Sequence, residues 1–218
     1  MMWRSTALAG ALALAPGLAP AQSTDEREWR PRFELTPYAG YRIGGEFEDA
    51  EDGTAFEIHE GQAEGLIFNI HTAAGNTQWE LLYAHQSTEV ETQPAFAEGA
   101  LLAIDADYWH FGGTYLFDMP SPGVQPFLAM TAGITRFDPA VSGIEAENYF
   151  SGSLGGGVQL RSDRRVGVRL EGRAFGTLVD SEGGLFCYSG PSAAGCALAV
   201  DGDALFQWEL KAGVVFRF

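Results

Sequence analysis

The chain has 218 residues, with 29 acids against 13 bases and a formal net charge of −16. No basic stripe is available to neutralise phosphates, which excludes nucleic acid as a partner. Glycine at 28 residues and aromatics at 12% suit strands with tight approaches and interfacial girdles, in one domain of many strands.

At the start, Arg4 precedes an apolar run, Ala7–Leu18, followed by Ala19-Pro20-Ala21, an A-x-A cleavage pattern. The run is shorter than the roughly 20 residues of a spanning helix. Residues 1–21 therefore read as a secretory signal peptide, and its removal with Arg4 leaves 12 bases and 29 acids, a formal charge of −17. No later stretch reaches helical spanning length, so a membrane form must be a closed barrel. Residues 22–31 are polar and read as a short periplasmic lead.

Alternation begins at Phe33. Phe33, Leu35, Pro37, Ala39, Tyr41 and Ile43 share one parity, and Arg32, Glu34, Thr36, Tyr38, Gly40 and Arg42 the other. After Gly44-Gly45 come Glu46, Glu48, Asp49, Glu51, Asp52, Glu57 and Glu60, a run that requires a solvated loop, with Phe56 and Ile58 expected to begin extending the next strand. The second strand carries Leu66, Phe68 and Ile70. Glu64 and Asn69 both need a polar side, so a local irregularity is expected there. Ala73-Ala74-Gly75-Asn76 is a tight turn. The third strand sets Trp79, Leu81, Tyr83 and His85 against Gln78, Glu80, Leu82, Ala84 and Gln86, and the mixed acidic segment Ser87–Ala100 follows.

The fourth strand, Leu102–Phe117, has aromatics on both parities and pattern alone does not orient it. Asp118–Gly123 is a turn by its chemistry. The fifth strand places Pro126, Leu128, Met130, Ala132 and Ile134 outward; the sixth, Phe150, Gly152, Leu154, Gly156, Val158 and Leu160; the seventh, Val166, Val168, Leu170, Gly172 and Ala174. The eighth, Leu205–Phe218, is apolar at Phe206, Trp208, Leu210, Ala212, Val214, Phe216 and Phe218 and carries Gln207, Glu209, Lys211 and Arg217 between them.

Short turns near Gly75, Pro120 and Asp163 alternate with long loops near Asp49, Ala95, Ser142 and Gly190. That is the requirement of a meander with both termini in the periplasm. The fold class is all-β: an eight-stranded antiparallel up-and-down transmembrane barrel over residues 32–218. A soluble lipocalin-type barrel would invert it, with polar residues outside and an apolar cavity.

Glu34-Leu35-Thr36-Pro37-Tyr38-Ala39-Gly40-Tyr41-Arg42, Gly112-Gly113-Thr114-Tyr115 and Gly213–Phe218 together resemble the small outer-membrane β-barrel domain family, OmpA-like in shape. The resemblance implies a bacterial outer-membrane location in contact with lipid and lipopolysaccharide. It also implies a closing strand read by the barrel assembly machinery through Trp208, Leu210, Phe216 and Phe218. It specifies fold far better than activity; a structural or surface-interaction protein, monomeric and without a cofactor, is the expectation.

On inward parities, Arg32, Glu34, Arg42, Glu80, Arg169, Glu171, Arg173, Glu209, Lys211 and Arg217 form an expected lumen charge ladder, since an eight-stranded interior is just wide enough for side chains to fill. The alternative is a narrow proton or ion path. Cys187 and Cys196, the only cysteines, are expected to form a disulfide in the last external loop. The sharpest enzymatic signal is His85-Gln86-Ser87, whose i, i+2 spacing puts both side chains on one strand face. With Glu89 or Glu98 orienting the imidazole it would look like the lipid A deacylase barrels. The acidic loops offer oxygen ligands to divalent cations without a specific coordination spacing, so no metal site is assigned.

Overall fold

The computed structural model describes residues 32–48, 55–57, 59–91, 101–118, 123–140, 146–161, 165–179, 184–189, 194–199 and 204–218. The signal peptide and the lead lie outside them, as do Glu98 and Asp49, Glu51 and Asp52 of the first loop.

The strands are β1 (Phe33–Ile43), β2 (Glu46–Glu48), β3 (Ala55–Glu57), β4 (Gly61–His71), β5 (Thr77–Glu91), β6 (Leu101–Leu116), β7 (Val124–Pro139), β8 (Glu147–Arg161), β9 (Val166–Leu178), β10 (Gly184–Ser189), β11 (Ala194–Ala199) and β12 (Ala204–Arg217). Eight of them close a barrel in the order β1-β12-β9-β8-β7-β6-β5-β4. β2-β3 and β10-β11 are separate two-stranded hairpins within the first and last long connections, so Phe56 belongs to a hairpin of its own and does not lengthen β4. Closure joins the first strand to the last: Phe33 N donates to Phe218 O at 3.0 Å, and Phe218 N to Phe33 O at 3.0 Å.

Outward residues form rows across neighbouring strands. One row pairs Asn148, Arg136, Asp107, His85, Glu64, Ala39, Ala212 and Leu170, each opposite the next. Leu170 is in turn opposite Val158, so the row re-enters β8 ten residues from its starting point at Asn148. With a rise near 3.3 Å per residue and a strand spacing near 4.8 Å, that stagger tilts the strands by about 41°. The backbone cylinder it defines has a radius of roughly 8 Å, which side chains fill.

Sidedness follows the pleat. Trp79, Leu81, Trp109, Phe111, Met130, Ile134, Phe150, Leu154, Phe206, Trp208 and Leu210 are all exposed on the outer wall, Leu210 at 72%. β6 is thereby oriented: Trp109, Phe111, Tyr115 and Phe117 face out, while Ala106, Tyr108, His110 and Thr114 are buried inside. The expected irregularity in β4 is absent, because its register against β1 runs unbroken from Phe33↔Ile70 to Arg42↔Gly61. Asn69 points in and Glu64 points out, the latter in a polar row above the apolar belt. Short turns are built locally: Gly75 takes a φ of +82°, which a residue with a Cβ rarely adopts, and its N–H donates to Thr72 O at 3.2 Å.

Candidate functional site

Two arrangements of polar side chains stand out, one inside the barrel and one on its wall. Inside, alternation drives Arg42, Glu80, Arg169, Glu171, Arg173, Glu209 and Lys211 from four strands into one layer, and none is more than 6% exposed. Charges removed from water must pair, and these do so in series. Arg42 Nε donates to Glu209 at 3.0 Å, and its guanidinium lies over Tyr108 at 4.2 Å and Phe175 at 4.4 Å. Lys211 Nζ stands 3.2 Å from Glu209 and 3.8 Å from Glu171. Glu171 also accepts from Arg169 at 2.7 Å and Arg173 at 2.5 Å. Both arginines then reach Glu80, at 3.1 and 2.6 Å, and Thr114 Oγ1 donates to the same carboxylate at 2.5 Å. Nearer the short turns, Glu34 holds Arg217 at 2.9 Å and His71 at 3.2 Å.

The interior also contains apolar layers that the charge pattern did not announce. Ile67, Leu82, Ile104, Tyr108, Phe137, Phe175, Val179 and Leu205 belong to one buried cluster reaching toward the long loops, and Leu116, Phe127 and Ala129 form another toward the short turns. Inward aromatics amid polar neighbours were the available signal. Arg32 departs from the expected ladder: it precedes β1 and is exposed, because inward parity starts at Glu34, the second residue of the strand.

On the wall, His85 and Ser87 share the outer face of β5, and the register sets Asp107 and Asp105 of β6 opposite them. His85 Nδ1 lies 2.9 Å from Asp107 Oδ1, which also accepts from Tyr83 Oη at 2.8 Å. His85 Nε2 lies 3.3 Å from Ser87 Oγ, and Ser87 Oγ donates to Asp105 Oδ1 at 2.6 Å. The carboxylate beside the imidazole among the described residues is thus Asp107, where the sequence had offered Glu89 or Glu98. Glu89 lies two residues beyond Ser87 and is exposed, and Glu98 is outside the described residues. The row directly below consists of Leu66, Tyr83, Trp109, Ile134 and Phe150, with the Tyr83 and Trp109 rings 4.4 Å apart. Among the described residues, no group of three or more His, Cys, Asp or Glu is placed to hold a metal ion.

Trp208, Leu210, Phe216 and Phe218 all face outward on or just beyond β12. In the β10-β11 hairpin the backbone register sets Cys187 opposite Cys196.

No family model matches the chain, and no curated protein does. Among solved structures it is similar to Neisserial surface protein A, with a TM-score of 0.57 at 14% identity over 85% of this chain and 97% of that one. It is also similar to the outer membrane protein OprG from Pseudomonas aeruginosa, with a TM-score of 0.55 at 15% identity over 86% of this chain and 97% of that one. The fold of this chain, an apolar-walled closed barrel of eight antiparallel strands, is that of the small outer-membrane β-barrels.

Proposed function

We propose that the protein is a structural or surface-interaction barrel of the bacterial outer membrane, with an occluded polar lumen, both termini in the periplasm and acidic loops outside. The observation that carries this reading is the unbroken series of buried ion pairs from Arg42 through Glu209, Lys211, Glu171, Arg169 and Arg173 to Glu80, with an apolar layer on either side. A conducting path needs water or mobile ligands along its length, and here oppositely charged side chains pair directly across the bore. The narrow-pore alternative has no comparable support. The decisive experiment is conductance of the purified protein in a planar bilayer. The reading expects no sustained open currents; steady single-channel steps would overturn it.

Outer-membrane lipid and lipopolysaccharide contact the apolar wall, and the outward face of β12 supports recognition of the closing strand by the assembly machinery. Divalent cations at the first-loop acids remain part of the same proposal, tested by calcium titration of the folded protein. The facing positions of Cys187 and Cys196 support a disulfide, since directly opposed residues of an antiparallel pair sit at about 4.5–5.5 Å between Cα atoms, within bridging range.

A further inference from the structure

The outer wall carries a hydrogen-bonded Ser-His-Asp set that an occluded barrel does not use. Ser87, His85 and Asp107 stand in the order nucleophile, base and orienting acid, linked at 3.3 and 2.9 Å, with Tyr83 Oη fixing the acid from below at 2.8 Å. Polar side chains on a barrel exterior are out of place within a hydrocarbon belt. These sit one row above the Tyr83–Trp109 girdle, the depth at which acyl esters meet headgroups. Beside them an open groove of about 1010 Å³ crosses β4, β1 and β12, bordered by His85, Ser87, Glu64, Tyr41 and Leu210 and floored by small residues, Ala39 and Ala212.

The tilt of the strands aims this groove. From His85 the row passes Glu64 and Ala39 to Ala212, three strand spacings or roughly 14 Å. At a tilt near 41° it descends about 9 Å toward the short turns, from the girdle into the belt. An acyl chain lying in it would present its ester to Ser87. Arg136, opposite Asp107, is paired with Asp138 at 3.2 Å, so the exposed carboxylates nearby, Glu60, Glu64, Glu89 and Asp105, leave the surroundings of the site net acidic, which disfavours a phosphate-rich glycolipid and favours a lipid that carries an ammonium.

We propose that Ser87, His85 and Asp107 form a serine ester-hydrolase site on the bilayer-facing wall, acting on an ammonium-headed glycerophospholipid whose acyl chain lies over Ala39 and Ala212. At rest the Ser87 hydroxyl is turned to Asp105; rotation about Cβ–Oγ redirects its proton to His85 Nε2, across a contact that tightens with substrate in place. Ser87 Oγ attacks the ester carbonyl carbon while His85 takes the proton. The bond from that carbon to the lysophospholipid oxygen breaks, and His85 returns the proton to the leaving oxygen. Water, deprotonated by His85, then attacks the acyl-serine ester, Ser87 recovers its proton and a fatty acid leaves. One ester and one water become one lysophospholipid and one fatty acid.

The depth of the site rests on the outer-membrane reading, but its chemistry can be tested in micelles on the full mature chain. Folded barrel, verified by heat-modifiable gel migration, is mixed with phosphatidylethanolamine or, separately, with lipopolysaccharide, and released fatty acid is measured by mass spectrometry. The wild type is expected to release fatty acid from phosphatidylethanolamine. Ser87→Ala and Asp107→Asn, still heat-modifiable, are expected to lose about 100-fold or more. Ala39→Leu, which puts a branched side chain on the floor of the groove, is expected to lose about tenfold. No release by folded wild type, an undiminished rate in Ser87→Ala or Ala39→Leu, or cleavage confined to lipopolysaccharide would each overturn the proposal. None of these results alters the conductance test of the lumen.

Discussion

Replacing Glu80 with alanine removes the acceptor at which two guanidinium groups meet. The Glu80 side chain is wholly buried, 3.1 Å from Arg169 and 2.6 Å from Arg173, and it also accepts from Thr114 at 2.5 Å and Asn69 at 3.3 Å. Each arginine keeps Glu171, so neither is stranded entirely, but one carboxylate is then shared by Arg169, Arg173 and Lys211. Removing one partner of a buried pair costs about 3–5 kcal/mol, and the retained Glu171 contacts put the expected loss near the lower figure, about 3 kcal/mol. Glu80→Gln keeps an oxygen for one arginine, so it should fall between alanine and wild type. The assay is urea unfolding of the barrel folded in lipid vesicles, followed by tryptophan fluorescence, with linear extrapolation to water. The exposed Arg136–Asp138 pair, at 3.2 Å with about half of each side chain accessible, is the internal control. Asp138→Asn should change stability by less than about 0.5 kcal/mol. If Glu80→Ala costs less than about 1 kcal/mol at unchanged slope, the lumen charges are hydrated and the interlocked-interior argument fails.

Further expectations use the wall and the strand crossings. Met130, 68% exposed, faces outward in the middle of β7. Met130→Arg should lower stability in a bilayer by about 2–4 kcal/mol, while a water-facing position would tolerate it; an unchanged urea midpoint in vesicles would contradict a lipid-facing wall. A Cβ at Gly133 would lie 1.9 Å from Trp109 O, a backbone atom that cannot turn aside. Gly133→Ala should therefore push β6 from β7 and reduce the heat-modifiable fraction, whereas Gly123→Ala, whose Cβ meets nothing within 4 Å, should not. For the last loop, mature protein from the envelope should yield no thiol labelling at Cys187 or Cys196 before reduction and labelling at both after it.

The shared preference of neighbouring residues made much of the fold legible in the sequence. Period-two alternation assigns each residue a side from its own position, so Trp208, Leu210 and Met130 could be put outside, and Glu209, Lys211 and Arg173 inside, before any strand was paired. Turn chemistry at Gly75, and the spacing of loops, then yielded eight strands and their antiparallel order. Where both parities were aromatic, as in β6, alternation had no single answer; the pairing of Trp109 with Tyr83 and Ile134 put it in an existing outward row.

What sequence could not supply was register. Whether the partner of His85 is Glu89, Glu98 or Asp107 depends on how β5 slides against β6, a relation between segments on either side of a long loop that neither segment encodes alone. The same stagger, ten residues around the barrel, puts Glu64 above the girdle and carries the groove down over Ala39 and Ala212. It also stacks Arg169 and Arg173 on one Glu80. Local alternation settled which residues meet lipid and which fill the bore; closure of the cylinder, through strand tilt, decided which of them touch.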